Sequence, residues 1–62
     1  MFLIRLGNQE LYLETFEDKE NLSFTDDKAS AMEFKNRKEA SKFMTDRFIN
    51  PNLHKIVPRE NG

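Results

Sequence analysis

FLIRLGNQELYLE, residues 2–14, holds two alternating apolar runs on either side of Gly7-Asn8. Gly takes positive φ freely and Asn tolerates it, so this dipeptide suits the closure of a two-residue hairpin loop. With that loop Leu6 faces Gln9. The expected cross-strand pairs are Phe2 with Leu13, Ile4 with Leu11, Leu3 with Tyr12 and Arg5 with Glu10. Side chains alternate along a strand, so Phe2, Ile4, Leu11 and Leu13 share one face. Leu3, Arg5, Glu10 and Tyr12 share the other, more polar face, which carries an opposite-charge pair. A slip of one residue would mix the two faces. The sequence therefore predicts a first strand over 2–6 and a second over 9–14.

Beyond the hairpin, TFEDKENLS (15–23) shows neither a helical nor a strand period and reads as a polar loop anchored by Phe16 and Leu22. In FTDDKASAMEF (24–34), Thr25 is a good N-cap and Asp26 and Asp27 suit a first turn, which predicts a short helix over 26–32. Phe24 and Ala29 take the staple positions beside that cap. NRKEASKFMTDRF (36–48) carries the strongest helix signal. Asn36 caps it with Glu39 three residues on, and Ala40, Phe43, Met44 and Phe48 fall on one apolar stripe. Asn50-Pro51 stops it, because Pro disfavours helical geometry in the residue before. LHKIVP (53–58) predicts a third strand, with Pro58 at its end or on an edge. RENG (59–62) reads as a frayed tail.

These elements predict an α+β fold in a single domain, 1–62. The order is ββαβ, with a three-stranded antiparallel sheet of strand order 2-1-3. One long helix covers one face, and a short extra helix precedes it. The second sheet face, with Met1, Leu3 and Tyr12 beside Arg5 and Glu10, is either covered by the loop through Phe16, Leu22 or Phe24, or open to a partner or a second copy. Strands 2 and 3 are the expected sheet edges, each able to accept a strand from another chain.

Composition bounds the function. The chain has 62 residues, begins with Met1 and suits a small complete protein with a thin core. Its stability is expected to be a few kcal/mol, about 3–5 at this size. With no Cys there is neither a disulfide staple nor a thiolate zinc site. No apolar run approaches the length of about 20 residues that spans a bilayer. The start lacks the basic-then-apolar order of a signal peptide. A cytoplasmic, non-membrane protein is expected. Ten basic and 11 acidic residues give a net charge of −1, which suits neither a DNA-coating protein nor a DNA mimic.

Catalytic sets are sparse. His54 is the one His and reads as a surface residue; Ser23, Ser30 and Ser41 sit in cap or helix settings. The acids Glu17, Asp18 and Glu20 have no apolar pocket to raise a pKa, and their spacing matches no calcium loop. Gly occurs at 7 and 62 alone, so no phosphate-cradling loop exists. No enzyme activity, metal or cofactor is expected. Arg47 falls beside the apolar stripe, where its stem can cross the core and carry its charge to the acidic loop or the helix end.

Phe24, Thr25, Asp26, Ala31, Phe34, Ala40, Phe43, Ile56 and Val57 follow a pattern that resembles small accessory proteins of bacteriophages and mobile elements from Gram-positive bacteria. In those proteins an apolar hairpin precedes a Phe-Thr-Asp step, a capped helix and a short last strand. The resemblance implies a binding role, in which a phage-type accessory protein inhibits or modulates a host protein. It carries over no functional residues.

The leading expectation is a non-catalytic protein-binding module. Its candidate contact residues are Leu3, Arg5, Glu10, Tyr12, Glu17, Asp18 and Glu20, for a host protein or for self-association through the open face. The alternative is a weak nucleic-acid binder using the basic helix face, Lys35, Arg37, Lys38 and Lys42. Glu39 and Asp46 on the same side, and the lack of interleaved aromatics, weigh against it.

Overall fold

The computed structural model describes residues 1–59. It is an α+β fold with one antiparallel sheet and one helix: β1 (Phe2–Leu6), β2 (Tyr12–Phe16), β3 (Leu22–Thr25), α1 (Arg37–Asp46) and β4 (His54–Pro58). The sheet has four strands in the order β3-β2-β1-β4. This corrects the expected three-stranded sheet. The most apolar strand, β1, lies between β2 and β4, and the added strand comes from the segment read as a loop. β2 is therefore an interior strand, not an edge.

Gly7 and Asn8 do form the turn. Gly7 has φ 57 and the Gln9 N–H donates to the Leu6 carbonyl at 3.1 Å. The strands resume pairing two residues later, where the Leu6 N–H donates to Leu11 and Arg5 lies opposite Tyr12. The expected partner of Tyr12 was Leu3, so the register is displaced by two. An even displacement preserves the faces. Ile4 and Leu13 join one core, while Leu3 and Tyr12 join the other. Arg5 does not meet Glu10. Its Nε donates to the Gly7 carbonyl at 2.9 Å and braces the turn, while Glu10 is exposed.

β3 exists because of a bulge. Leu13 lies opposite Phe24, yet Thr15 lies opposite Ser23, so Glu14 is the extra residue between them. The bulge turns Phe16 onto the face that Leu13 already occupies, and both pack with Leu22 and Phe24 around the main core. Residues 17–21 close this hairpin tightly, with the Glu17 N–H donating to the Asn21 carbonyl at 2.9 Å.

No helix forms over 26–32. Thr25 Oγ1 accepts from the Asp27 N–H, and the Asp27 carboxylate accepts from the Ala29 N–H and the Ser30 hydroxyl. This cap chemistry closes a single turn. The chain then runs extended: Met32 N–H donates to the Leu13 carbonyl, and Phe34 exchanges two 2.8 Å bonds with Phe2. Those bonds take the backbone groups that a helix would need. Ala31 belongs to the core with Leu3, Tyr12 and Val57, whereas Met32 and Phe34 belong to the main core. The segment thus covers the second sheet face and crosses to the first between β1 and β2. Cover of that face comes from Ala31, not from Phe16, Leu22 or Phe24, which pack on the other side.

α1 starts as expected, with Asn36 Oδ1 accepting from the Glu39 N–H at 2.8 Å. Ala40 and Met44 are buried and Phe43 half-buried. Phe48 leaves the stripe because the helix ends at Asp46, four residues before Asn50. β4 begins at His54, one residue later than expected. It runs antiparallel to β1 from Leu6↔His54 to Phe2↔Pro58. Arg59 is tied down by its N–H to the Met1 carbonyl and by a 3.0 Å ion pair with Glu33, so the expected fraying does not include it. The rest of that tail, 60–62, lies outside the described residues.

Candidate functional site

The C-terminus of α1 builds the feature around which the site forms. The Ile49 N–H donates to the Met44 carbonyl at 2.9 Å, and the Phe48 N–H to the Thr45 carbonyl at 3.2 Å. This pair of bonds is the Schellman ending of a helix, with Ile49 packing back on the Met44 core. The residue after the C-cap must then be left-handed, a place usually held by Gly. Here it is Phe48, at φ 55. The residue is 79% exposed. The one ring contact the cations provide is Lys19, whose Nζ lies 5.3 Å from the centroid.

Phe48 stands between two clefts. The larger, about 600 Å³, runs along the α1 side that faces β4, over Met44, Ile49, Pro51 and Ile56, with Arg37 and Lys55 at its rim. The smaller, about 180 Å³, lies against Leu13, Phe16 and Leu22 under Lys19. Both are open clefts with largely apolar walls, and both touch His54. The imidazole of His54 stacks on Phe24 at 6.0 Å and 18°. Its Nδ1 lies 2.9 Å from the Asn50 carbonyl, which can only accept, so Nδ1 carries the proton. That carbonyl fixes the orientation of the ring. Among the described residues, no three His, Cys, Asp or Glu side chains converge to hold a metal ion. Nor, among the described residues, is any helix long and apolar enough to cross a membrane.

The expected contact residues are dispersed. Leu3 and Tyr12 are buried in the second core, with Lys28 Nζ 5.6 Å from the Tyr12 ring centroid. Arg5 is spent on the Gly7 carbonyl, and Glu10 is exposed at the first hairpin. Glu17, Asp18 and Glu20 sit together on the β2–β3 turn, all exposed. There the Asp18 carboxylate accepts from the Asn21 side chain and from the Glu20 and Asn21 N–H groups. These bonds, the Asn21 amide first, hold its pKa below the usual carboxylate value. Asp18 is thereby explained as the organiser of its turn.

The basic helix residues also divide. Lys35, Lys38 and Lys42 are exposed. Arg37 is turned to the sheet, donating to the Ile56 carbonyl at 3.2 Å and lying 5.0 Å from the Phe2 ring centroid. Arg47 does not reach the acidic turn. Its guanidinium rests 3.8 Å from the centroid of Phe43 on its own helix.

Sequence reading placed Phe48 in the core, because it lies four residues beyond Met44. The residues that line the larger cleft come from α1, the 47–53 connection and β4, and no spacing rule groups them. No family model matches the chain, and no curated protein or solved structure matches it.

Proposed function

We propose that this chain is a small, non-catalytic protein-binding module whose anchor is Phe48. One observation carries the reading: a large aromatic ring is held out in solvent on a backbone conformation that suits Gly. A residue with a Cβ gives up about 1–2 kcal/mol in that conformation. The ring returns little of this to the fold, since most of it is exposed. Backbone strain retained at an exposed aromatic between two clefts suits a side chain that buries itself in a partner. Aromatic rings of this kind dominate the energetics of protein interfaces. The resemblance to phage accessory proteins adds the kind of partner: a host protein that this chain inhibits or modulates. The nucleic-acid reading has less support, because Arg37 is engaged with Ile56 and Phe2. That leaves Lys35, Lys38 and Lys42, with Glu39 among them.

The test compares wild-type protein with Phe48→Gly as bait in lysates of several bacteria. Each captured protein is then purified and titrated against both forms. A partner that binds wild type and loses at least about 30-fold with Phe48→Gly is expected, the loss typical of an interface anchor. Equal affinity for the two forms, or no partner that separates them, overturns the reading.

A further inference from the structure

We propose that β4 accepts an extended, acidic segment of a partner protein as an added strand, its side chains seated in the cleft between α1 and β4. This rests on the protein-binding reading and names the chemistry of what binds. β4 is a terminal strand of the sheet, so one of its edges has no strand beside it. Its hydrogen-bond phase follows from two bonds. The Arg59 N–H donates to Met1, and the Phe2 N–H points away from β4 to Phe34. Pairs alternate along an antiparallel ladder, so Val57 and Lys55 bond to β1 while His54, Ile56 and Pro58 turn their backbone groups outward. Pro58 therefore sits where its missing N–H costs the ladder nothing.

Among the described residues, no backbone group pairs with this outer edge. Its one occupant is Arg37, whose guanidinium caps the Ile56 carbonyl. The cleft opens along the same edge. From Arg37 to Asp46 the α1 wall runs about 14 Å at 1.5 Å per residue, the length of about four residues of extended chain. Such a segment would bond to the N–H groups of His54 and Ile56. Alternate side chains would fall on Met44 and Ile56, with Phe48 closing one end.

Charge gives the sign of the partner. The chain as a whole carries more acids than bases. The cleft lining reverses this: Arg37 brings its charge there and no Asp or Glu lines it. Lys55, which also lines it, turns its ammonium to the Asn8 Oδ1 at 3.3 Å on the β1–β2 turn. An incoming carboxylate would take Arg37 from the Ile56 carbonyl and free that carbonyl for the new strand. A charge-assisted pair replaces a bond to a neutral acceptor in that exchange.

The probes are an acetylated hexapeptide whose cleft-facing positions hold Val, Val and Glu (Val/Glu), its counterpart with Lys in place of Glu (Val/Lys), a Val/Glu form N-methylated along one edge, and a thymidine decamer. Each is titrated to millimolar concentration into ¹⁵N-labelled full-length protein. The proposal expects saturable shifts of the His54 and Ile56 amides with Val/Glu, and binding at least about tenfold weaker for the Val/Lys and N-methylated forms. It also expects Arg37→Glu to reverse the preference between Val/Glu and Val/Lys; the dispersion of the same spectra reports that this variant stays folded. No shift at millimolar Val/Glu, equal binding of the N-methylated form, or indifference to charge overturns strand addition. So does a decamer that occupies the cleft where the peptide does not, which would make it a nucleic-acid site. A partner that still depends on Phe48 while these peptides fail removes strand addition and leaves the binding module. Shifts on β4 without any Phe48-dependent partner do the reverse.

Discussion

Gly7 and Phe48 both have a positive φ, 57 and 55. At the β1–β2 turn the residue is the one type for which that conformation is free. At the end of α1 it carries a full benzyl side chain. Space is not the distinction. A Cβ built on Gly7 would meet the Leu53 carbonyl oxygen at 3.6 Å, an ordinary contact. The difference lies in what each site is for. The turn joins two strands and is satisfied once closed. The helix end is held by two cap bonds and by Ile49 on the core, and this bracing keeps a residue left-handed that would otherwise relax. A fold of this size has few kcal/mol in reserve, and the proposed binding role is what would offset a cost at Phe48.

The largest effect expected from this contrast is on recognition. Phe48→Gly should weaken the partner by at least about 30-fold, read by calorimetric titration, because it deletes the exposed ring and keeps the backbone path. Next is Gly7→Val, which forces a β-branched side chain to a positive φ. It should lower stability by about 2 kcal/mol in urea denaturation; a change of a few tenths would mean the turn has another way to close. Asn36→Ala probes the unstrained end of the same helix and should cost about 1 kcal/mol, the usual value of an N-cap.

The smallest effect is a pH dependence at Asp18. Its folded pKa lies below the ordinary 3.8, so the unfolded chain binds more protons in the window between the two values. Its contribution is present above the unfolded value and is lost as pH falls through the folded one. Wild type and Asp18→Ala should therefore converge in stability as the pH drops below that window. A gap that stays constant across it would show that the carboxylate is not what orders the turn.

The parts legible in the sequence are those built from local rules. Alternation in residues 2–14 set the two hairpin faces, and Asn36 with Glu39 set the start of α1. The hairpin register was not legible, because Arg5 bonding to Gly7 admits two further residues before pairing resumes. β3 was hidden by the Glu14 bulge. Leu13 and Phe16 face the same core three residues apart, a spacing that breaks the two-residue period of a strand. Thr25 and Asp27 use true helix-start chemistry, yet Met32 and Phe34 are claimed by Leu13 and Phe2, contacts distant in sequence. The site was the least legible part. Phe48 has helical spacing from Met44, and nothing local states that the helix stops at Asp46. The one sequence sign is negative: no Gly follows the helix where its ending geometry calls for one.

The central claim is that position 48 is strained by its backbone and kept for its ring. The most direct measurement is the stability difference between Phe48→Gly and Phe48→Ala, taken from urea denaturation of both variants. Both lack the ring and its Lys19 contact, so the difference reports the backbone alone. The account predicts Phe48→Gly to be the more stable by about 1 kcal/mol, about 4–8 °C in Tm for a domain of this size. Phe48→Ala equal to or above Phe48→Gly would contradict it.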